Sequence, residues 1–215
     1  MASISYATKE ICVKIVYYGP GMSGKTTNLQ VIYNKVLPEF RSKLTSLTTE
    51  NERTIFFDFL PLDLGKIKGF NIKVQLYTVP GQVYYNATRK LVLRGVDGIV
   101  FVADSAPDKI SENIESLKNL EENLAEYKYR RESIPMIIQY NKRDLPHALS
   151  IQDLQEHVNL FNLDWTEAVA GKGIGVFDSL KLICKKVIDN FIKKYLGSGA
   201  PRPRQVLPRP PQQSR

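Results

Sequence analysis

Apolar residues along the chain follow two kinds of spacing, and both predict regular structure. Compact apolar runs, or runs in which every second residue is apolar, predict strands. Six such runs occur, at 11–18, 55–60, 70–76, 99–103, 134–140 and 165–169. Stripes with helical spacing lie between or after them and predict helices. The two clearest stripes are Ile110, Ile114, Leu117, Leu120 and Leu124, and Phe177, Leu180, Cys184, Val187, Phe191 and Tyr195.

Strands that alternate with helices indicate a doubly wound α/β domain of about six strands and about five helices. Residues 64–69 are short enough to join the second and third strands as a hairpin. Strand 55–60 should therefore run antiparallel at the edge of an otherwise parallel sheet. The first helix should end near Leu37 because a proline follows, and the capping-box pattern at 150–153 should open a later helix. We expect one domain over residues 1–196, without internal repeats.

A glycine-rich segment directly after the first predicted strand carries the strongest chemical signal. Residues 19–26 read GPGMSGKT, which fits the phosphate-binding pattern G-x-x-x-x-G-K-[ST]. Backbone N–H groups of such a turn wrap a polyphosphate, the lysine adds a cation, and the threonine hydroxyl is a ligand for Mg²⁺. We assign a metal-ligand role to Thr26 and nucleotide binding to Gly19, Gly21, Met22, Ser23, Gly24, Lys25, Thr26 and Thr27.

A second motif, N-K-x-D at 141–144, follows predicted strand 134–140 and indicates which base is bound. It lies at a carboxyl strand end, where open α/β sheets bind ligands. The carboxylate of Asp144 can accept hydrogen bonds from both N1–H and the exocyclic amine of guanine, whereas adenine offers no such pair. Asn141 can tie loops together, and the stem of Lys142 can lie over the base. An ATPase with the same phosphate loop is therefore disfavoured.

A weaker signal follows the last predicted strand, in the segment V-A-G-K-G at 169–173. The backbone N–H of Ala170 can reach the O6 atom of guanine. A simple glycine loop explains the same segment equally well.

Composition is consistent with one such domain. The chain has 215 residues, 43% of them hydrophobic, and no run of eighteen apolar residues that would predict a membrane span. The N-terminus lacks the basic and apolar regions of a signal peptide. Residue 2 is Ala2 and the chain ends in Q-Q-S-R, so neither myristoylation nor prenylation is predicted. The two cysteines, Cys12 and Cys184, are expected to be reduced core residues of a cytoplasmic protein.

The net charge of +8 is divided evenly between the domain and a tail. Residues 197–215 contain four arginines, five prolines and no acidic residue. This composition predicts a disordered, partly polyproline extension. It is either passive or a docking segment for a partner or an anionic lipid. No aromatic residue interleaves with its arginines, which argues against nucleic acid as a partner.

Together these motifs resemble those of the Ras-like small GTPases, and within them the bacterial MglA group. The finer resemblance rests on Y-Y-G-P-G at 17–21, T-V-P-G-Q at 78–82 and Q-Y-N-K-R-D at 139–144, and it extends over about residues 5–195. It implies a P-loop small-GTPase fold, with GTP or GDP and Mg²⁺ as cofactors. It also implies a GTP-switched regulator of cell polarity and motility, concentrated at a cell pole, that acts on effectors and is turned off by a dimeric partner of the roadblock/longin type. We expect a monomer outside these complexes.

The resemblance also implies roles in hydrolysis. Gly81 would contact the γ-phosphate, and Gln82 would orient the attacking water, for which its amide offers both a donor and an acceptor. Arg53 would serve as an arginine finger carried in the same chain, although a plain surface arginine is the alternative.

At the metal site the sequence departs from the general GTPase pattern. The motif D-x-x-G usually supplies an aspartate, but here Thr78 occupies that position. A threonine hydroxyl can bind a metal-bound water without adding charge. Asp58 is our candidate for the missing carboxylate, because a charge within an apolar strand is costly unless it is paired; a hydrogen-bonded edge-strand aspartate is the alternative. Thr54 is the expected switch threonine, with Thr48 and Thr49 as competitors.

Strand 55–60 suggests a switch and a partner surface. In the family, GTP loading is thought to slide this strand along its neighbour. A slip of two residues keeps each side chain on its face and moves Arg53 and Thr54 by about 6.5–7 Å. The aromatic residues Phe56, Phe57 and Phe59, with Tyr84 and Tyr85 nearby, fit either a partner contact or core packing.

Two function classes follow. The first is a GTPase switch, slow alone and accelerated by a partner. The second is a nucleotide-stabilised scaffold with negligible turnover, which the threonine at position 78 favours and Gln82 with Arg53 disfavours.

Overall fold

The described residues form one eight-stranded sheet with helices on both faces. The structure is a computed structural model that describes residues 3–47, 57–67, 69–82 and 85–196. Within these residues the strands are β1 (Ser3–Ser5), β2 (Glu10–Tyr18), β3 (Thr45–Leu47), β4 (Phe57–Ile67), β5 (Phe70–Thr78), β6 (Gly98–Asp104), β7 (Met136–Asn141) and β8 (Trp165–Glu167).

The strand order is β3-β4-β5-β2-β6-β7-β8, with β1 paired to the start of β2. Strands β2, β5, β6, β7 and β8 are parallel to one another. Strands β1, β3 and β4 run antiparallel to the strands that they pair with. The carboxyl ends of all five parallel strands therefore lie at one edge of the sheet, where α/β proteins bind their ligands.

Five α-helices lie within the described residues: α1 (Lys25–Lys35), α2 (Asn86–Leu93), α3 (Ile110–Glu126), α4 (Ile151–Val158) and α5 (Val176–Phe191). Helix α4 begins as predicted, because the Ser150 hydroxyl accepts a hydrogen bond from the Asp153 N–H at 3.0 Å. Helix α1 ends at Lys35, two residues before the predicted end. None of the helices in the described part of the chain combines the length and apolarity needed to cross a bilayer.

The core has two layers, one on each face of the sheet. Helices α1 and α5 pack on one face, against residues such as Ile15, Val74 and Leu60. Helices α2, α3 and α4 cover the other face, against residues such as Val16, Phe101 and Ile138. The parallel strands β6 and β7 are buried along their whole length, as expected for strands covered on both faces.

The sheet differs from the predicted one at its antiparallel side. Strand β4 is not the edge, because β3 pairs with it outside, with Leu47 opposite Phe57. It also continues through Ile67 into the predicted hairpin link, with an irregular register between Asp63 and Lys66. Strands β1 and β3 have only three residues each. Such short segments do not show a period of two, so the sequence did not reveal them.

Two predicted core positions were wrong. Ile114 is 42% exposed, because the buried face of α3 is partly polar and includes Asn113, Ser116, Asn119 and Asn123. The three asparagines form hydrogen bonds to other elements, which an apolar stripe cannot reveal. Cys12 is only half-buried, whereas Cys184 is buried as predicted, and both are free thiols.

Candidate nucleotide-binding site

The predicted nucleotide-binding residues that the structure describes gather at the carboxyl edge of the sheet. The phosphate loop, residues 19–24, leaves the end of β2 and leads into α1, while Thr78, Asp104 and Asn141 end β5, β6 and β7. Two clefts lie along this edge. One has a volume of about 460 Å³ and includes Lys25, Thr26 and Asp58, and the other has about 260 Å³ and includes Asn141 and Asp144. They share Met22, Gly24 and Thr27, so they form one trough.

The phosphate loop depends on glycine at two positions. Gly19 has φ of +143°, and a Cβ atom there would lie 2.3 Å from the Val102 carbonyl oxygen. Gly24 has φ of +100°, and a Cβ atom there would lie 2.2 Å from Asn141 Nδ2. Both positions combine a left-handed backbone with a close approach that leaves no room for a side chain. Met22 also has a positive φ, of 58°, and its side chain is 89% exposed.

Lys25 is buried at the start of α1 and turned onto the phosphate loop itself. Its Nζ donates to the carbonyl oxygens of Gly19 at 3.1 Å and Pro20 at 2.5 Å. The pKa of Lys25 is lowered to about 7, chiefly by burial and also by the Arg89 charge, while the Asp58 carboxylate opposes both. A bound phosphate would supply the anion that this ammonium lacks.

Asn141 connects the phosphate loop to the loop after β8. Its Nδ2 donates to the Ser23 carbonyl at 2.8 Å, and its Oδ1 accepts from the Ala170 N–H at 2.9 Å. The first bond is the loop-tying role expected from the motif. The second uses the donor that the sequence suggested for guanine O6, so a contact with O6 would have to share or displace this bond.

Two ion pairs order the side chains of the base-binding loop. Lys142 has a left-handed backbone, with φ of 63°, and its Nζ lies 2.6 Å from Asp104 Oδ2, whose carboxylate is fully buried. The Lys172 ammonium lies 3.0 Å from Asp144 Oδ2, and this hydrogen bond lowers the pKa of Asp144. Asp144 is therefore ionised at neutral pH, as an acceptor for the two guanine donors must be.

Behind these loops lies a buried amide pair that the sequence analysis missed. Asn28 Nδ2 donates to Gln139 Oε1 at 2.8 Å, and Gln139 Nε2 donates back to Asn28 Oδ1 at 3.0 Å. Asn28 also donates to the Gly24 carbonyl at 2.9 Å, and Gln139 donates to Ser179 Oγ at 2.7 Å. The pair links α1, β7 and α5 directly beneath the phosphate loop. A polar residue within an apolar run was the only available signal.

At the other end of the trough, Asp58 is surrounded by hydroxyl groups. Its Oδ2 accepts from Thr26 Oγ1 at 2.6 Å and from Thr78 Oγ1 at 2.9 Å, and its Oδ1 accepts from Ser46 Oγ at 2.7 Å. The Asp58 N–H donates back to Thr78 Oγ1 at 2.8 Å. Asp58 is 7% exposed, so a carboxylate and three hydroxyl groups share one small volume. Hard oxygen ligands of this kind fit Mg²⁺, so the residues present suit the metal that the family uses.

The segment after β5 brings Gly81 against the phosphate loop. A Cβ atom on Gly81 would lie 2.3 Å from the Gly21 Cα atom, so only glycine fits. Gln82 is exposed, and the described lining of the phosphate cleft ends at Gly81. Arg53 and Thr54, with their alternatives Thr48 and Thr49, lie outside the described residues, as do Phe56, Tyr84 and the tail at 197–215.

A phosphate loop, a carboxylate beside its threonine and a base loop with an ionised aspartate define a guanine-nucleotide site on a small-GTPase fold. The model of the ADP-ribosylation factor family matches residues 1–187. The chain belongs to this family of GTP-binding small GTPases, and the predicted α/β fold is thereby confirmed.

A particular relative sharpens this assignment. The mutual gliding-motility protein MglA of Myxococcus xanthus (strain DK1622) is 55% identical over 193 residues, which cover 90% of this chain and 99% of that protein. The resemblance to the bacterial MglA group is therefore confirmed.

Proposed function

We propose that the chain is a GTP-hydrolysing switch that controls cell motility and polarity through effectors that distinguish its two nucleotide states. The trough supports this proposal, because it holds a phosphate loop, a candidate metal carboxylate and a base-selective aspartate in one continuous line. The name of the Myxococcus relative supports a role in motility. A cytoplasmic location with concentration at a cell pole belongs to the same proposal.

The contacts of Asp58 are the main support for this proposal. A switch needs tightly bound Mg²⁺, and Thr78 adds no charge to that site. Asp58 is held 2.6 Å from Thr26 Oγ1, so it can supply the missing negative charge directly or through a metal-bound water. Thr26 and Asp58, with Thr54, would hold the metal, which neutralises charge on the transferring phosphoryl group when bound.

Hydrolysis itself is assigned to residues near the third phosphate. Gln82 would hold the attacking water in line, with Gly81 on the γ-phosphate. Arg53 would stabilise charge on the equatorial oxygens, a contribution of about 10³-fold or more in related reactions. Turnover is expected to be slow for the chain alone and faster with a dimeric roadblock/longin-type partner.

An aromatic cluster on the sheet supports the existence of a partner surface. Tyr77 on β5 lies 4.7 Å from Phe59 and 5.9 Å from Phe57, measured between ring centroids, and Lys14 Nζ lies 4.5 Å from the Tyr77 ring. All three aromatic residues are only half-buried. Clusters of this kind are typical interface anchors, so we assign this face to a partner or effector.

Single-turnover hydrolysis of GTP, with and without the candidate partner, tests the proposal. Gln82→Leu should lower the rate by about 10²-fold or more, since it removes the water-orienting amide. Gln152→Leu, an equivalent change at an exposed position of α4, should leave the rate unchanged. If wild type and Gln82→Leu hydrolyse GTP at the same rate, and this rate is close to that of free GTP in solution, the result would instead support the scaffold alternative.

A further inference from the structure

A buried cation lies directly behind the loop that meets the phosphate cleft. Arg89, on α2, has no exposed surface and is among the largest fully buried side chains of the described chain. Pro80 and Gly81 line the cleft itself. The guanidinium contacts both of these residues from the interior, so it lies between the sheet core and the cleft wall.

The guanidinium donates hydrogen bonds to two consecutive carbonyl groups. Its Nε donates to the Pro80 carbonyl oxygen at 2.9 Å, and its Nη2 donates to the Gly81 carbonyl oxygen at 2.5 Å. This forked arrangement uses the rigid, planar donor geometry that arginine has and lysine lacks. Both peptide planes are therefore fixed by one side chain.

The other edge of the guanidinium is held by neutral groups. Its Nη1 donates to Asn119 Oδ1 at 2.8 Å and to the Tyr18 hydroxyl at 3.4 Å. Asn123 Nδ2 donates to the same Tyr18 hydroxyl at 3.2 Å and to Asn86 Oδ1 at 2.7 Å. Among the residues that the structure describes, no carboxylate lies within 4 Å of Arg89.

A buried cation without a counter-ion is expensive for a purely structural purpose. Burial of a charge is costly unless it is paired, and an apolar side chain would fill the same volume without that cost. The placement becomes favourable when an anion binds nearby. The phosphate cleft, on the other side of Pro80 and Gly81, is where such an anion is expected.

These two hydrogen bonds also determine the direction of two backbone N–H groups. In a trans peptide the C=O and the following N–H point in opposite directions. Because Arg89 draws the carbonyl groups of Pro80 and Gly81 inward, the N–H groups of Gly81 and Gln82 are directed away from it. Consecutive N–H groups on one side of a turn form an anion-binding concavity.

We propose that Arg89 is a positioning residue that presents the Gly81 and Gln82 amides to the third phosphate of GTP and thereby sets the preference for GTP over GDP. This inference rests on the proposed function, because it takes the site to be a guanine-nucleotide switch. GDP lacks the third phosphate, so its binding should not depend on the two amides that Arg89 positions. Loss of the two hydrogen bonds from Arg89 to the Pro80 and Gly81 carbonyl groups should therefore lower the affinity for GTP relative to that for GDP.

The test is the ratio of GTP to GDP affinity, measured with a slowly hydrolysed GTP analogue and fluorescent GDP on the full chain. Arg89→Met should lower the ratio of analogue affinity to GDP affinity by about tenfold or more, since it removes hydrogen bonds that orient donors to a charged group. The loss of the Arg89 charge also raises the pKa of Lys25, but this effect acts on both nucleotides and leaves their ratio unchanged. Arg89→Lys keeps the charge without the fork and should behave like Arg89→Met. A wild-type ratio in Arg89→Lys would overturn the positioning role.

A second pair of variants keeps the test valid if the arginine variants do not fold. Tyr18→Phe removes only the hydroxyl that supports the guanidinium and should lower the ratio by about threefold. Tyr17→Phe is the matched control on the same strand, because its buried hydroxyl has no hydrogen-bond partner within the described residues; its ratio should be that of wild type. Equal ratios in the two variants would overturn the inference.

The results for wild type and variants distinguish a failure of the proposed switch function from a failure of the role of Arg89. A wild-type chain that binds neither nucleotide would refute the switch and this inference together. A wild-type chain that prefers GTP, with variants that keep the preference, would refute only the role of Arg89. The thermal midpoint of each GDP-bound variant shows whether an altered ratio reflects a folded protein.

Discussion

At the scale of single residues, the site depends on polar side chains whose partners come from distant parts of the chain. Asp58 was predicted to matter because a charge in an apolar strand needs a partner. The structure shows that this partner is a set of three hydroxyl groups contributed by Thr26, Ser46 and Thr78. The sequence could propose the residue, whereas the arrangement depends on the strand register.

Removal of the Asp58 charge by Asp58→Asn should weaken Mg²⁺ binding. The substitution keeps the shape and removes the charge, so the Mg²⁺ concentration needed for half-maximal GTP binding should rise about tenfold or more. Binding of GDP in the presence of a chelator should change little. Titration of Mg²⁺ against fluorescent nucleotide measures both quantities.

The matched control for Asp58→Asn is Asp63→Asn on the same strand. Asp63 is also a hydrogen-bonded carboxylate, accepting from Gly65 N and Asn71 Nδ2 at 2.8 Å. It lies outside the cleft lining, so its Mg²⁺ requirement should equal that of wild type. An unchanged requirement in Asp58→Asn would exclude this residue from the metal site.

The charge of Lys25 should depend on pH and on whether a nucleotide is bound. Because burial lowers its pKa to about 7, the folded, nucleotide-free chain has released a proton that the unfolded chain keeps up to about pH 10. Stability of the nucleotide-free chain should therefore rise with pH between these two values. A bound phosphate favours the charged form of Lys25, so nucleotide binding should cause Lys25 to take up this proton again.

Calorimetry measures this proton directly. At about pH 8.5, GDP binding should take up about one proton, seen as a binding enthalpy that differs between buffers of different ionisation enthalpy. GDP affinity should also fall as pH rises above neutrality. Equal enthalpies in all buffers would show that Lys25 is already charged before the nucleotide binds.

Some residues of the site could not be predicted at this scale. Asn28, Gln139 and Arg89 looked like ordinary polar positions within helices or strands. Their role appears only when packing brings α1 beside β7, and α2 beside the loop after β5. Periodicity indicates which face of an element is apolar. It does not identify a polar side chain that is buried because it forms hydrogen bonds to an element distant in sequence.

At the scale of elements, we propose that strand β4 couples the candidate metal site to the switch. The two-residue slip that we infer from the family would move Asp58 by about 6.5–7 Å. In the present register Asp58 contacts Thr78 and Thr26, with Phe59 opposite Tyr77. Only one register can therefore place Asp58 at the metal, so strand position and metal affinity should change together.

Disulfide trapping tests the slip. Pro61 and Gln75 lie opposite each other on β4 and β5 and are half-buried. In a Cys12→Ser background, Pro61→Cys with Gln75→Cys should cross-link at least about tenfold faster in one nucleotide state than in the other, because a two-residue shift separates the thiols beyond disulfide reach. Gel mobility after timed oxidation measures the rates.

The control pair for this experiment uses the native Cys12. Lys73→Cys places a thiol opposite Cys12 across β2 and β5, which should not slide. Its cross-linking rate should be the same with GDP and with a GTP analogue. State-independent rates for both pairs would mean that β4 keeps one register.

At the scale of the whole molecule, the doubly wound sheet was predictable because its strands and most of its helices have clear periods. The phosphate loop and the base motif were predictable because their spacing is fixed by the chemistry of the ligand. Strands β1 and β3 and helix α2 were not located, since short elements depend on pairing and packing more than on their own sequence. The trough arises because all five parallel strands end at one edge.

The most direct test of the account is competition for bound fluorescent GDP by GTP, GDP and ATP, with and without Mg²⁺. The structure predicts displacement by both guanine nucleotides, at least about 10²-fold weaker displacement by ATP, and tighter binding of GTP when Mg²⁺ is present. Equal displacement by ATP would contradict the role of Asp144 in base selection. Indifference to Mg²⁺ would contradict the metal site at Thr26 and Asp58, and with it the proposed switch.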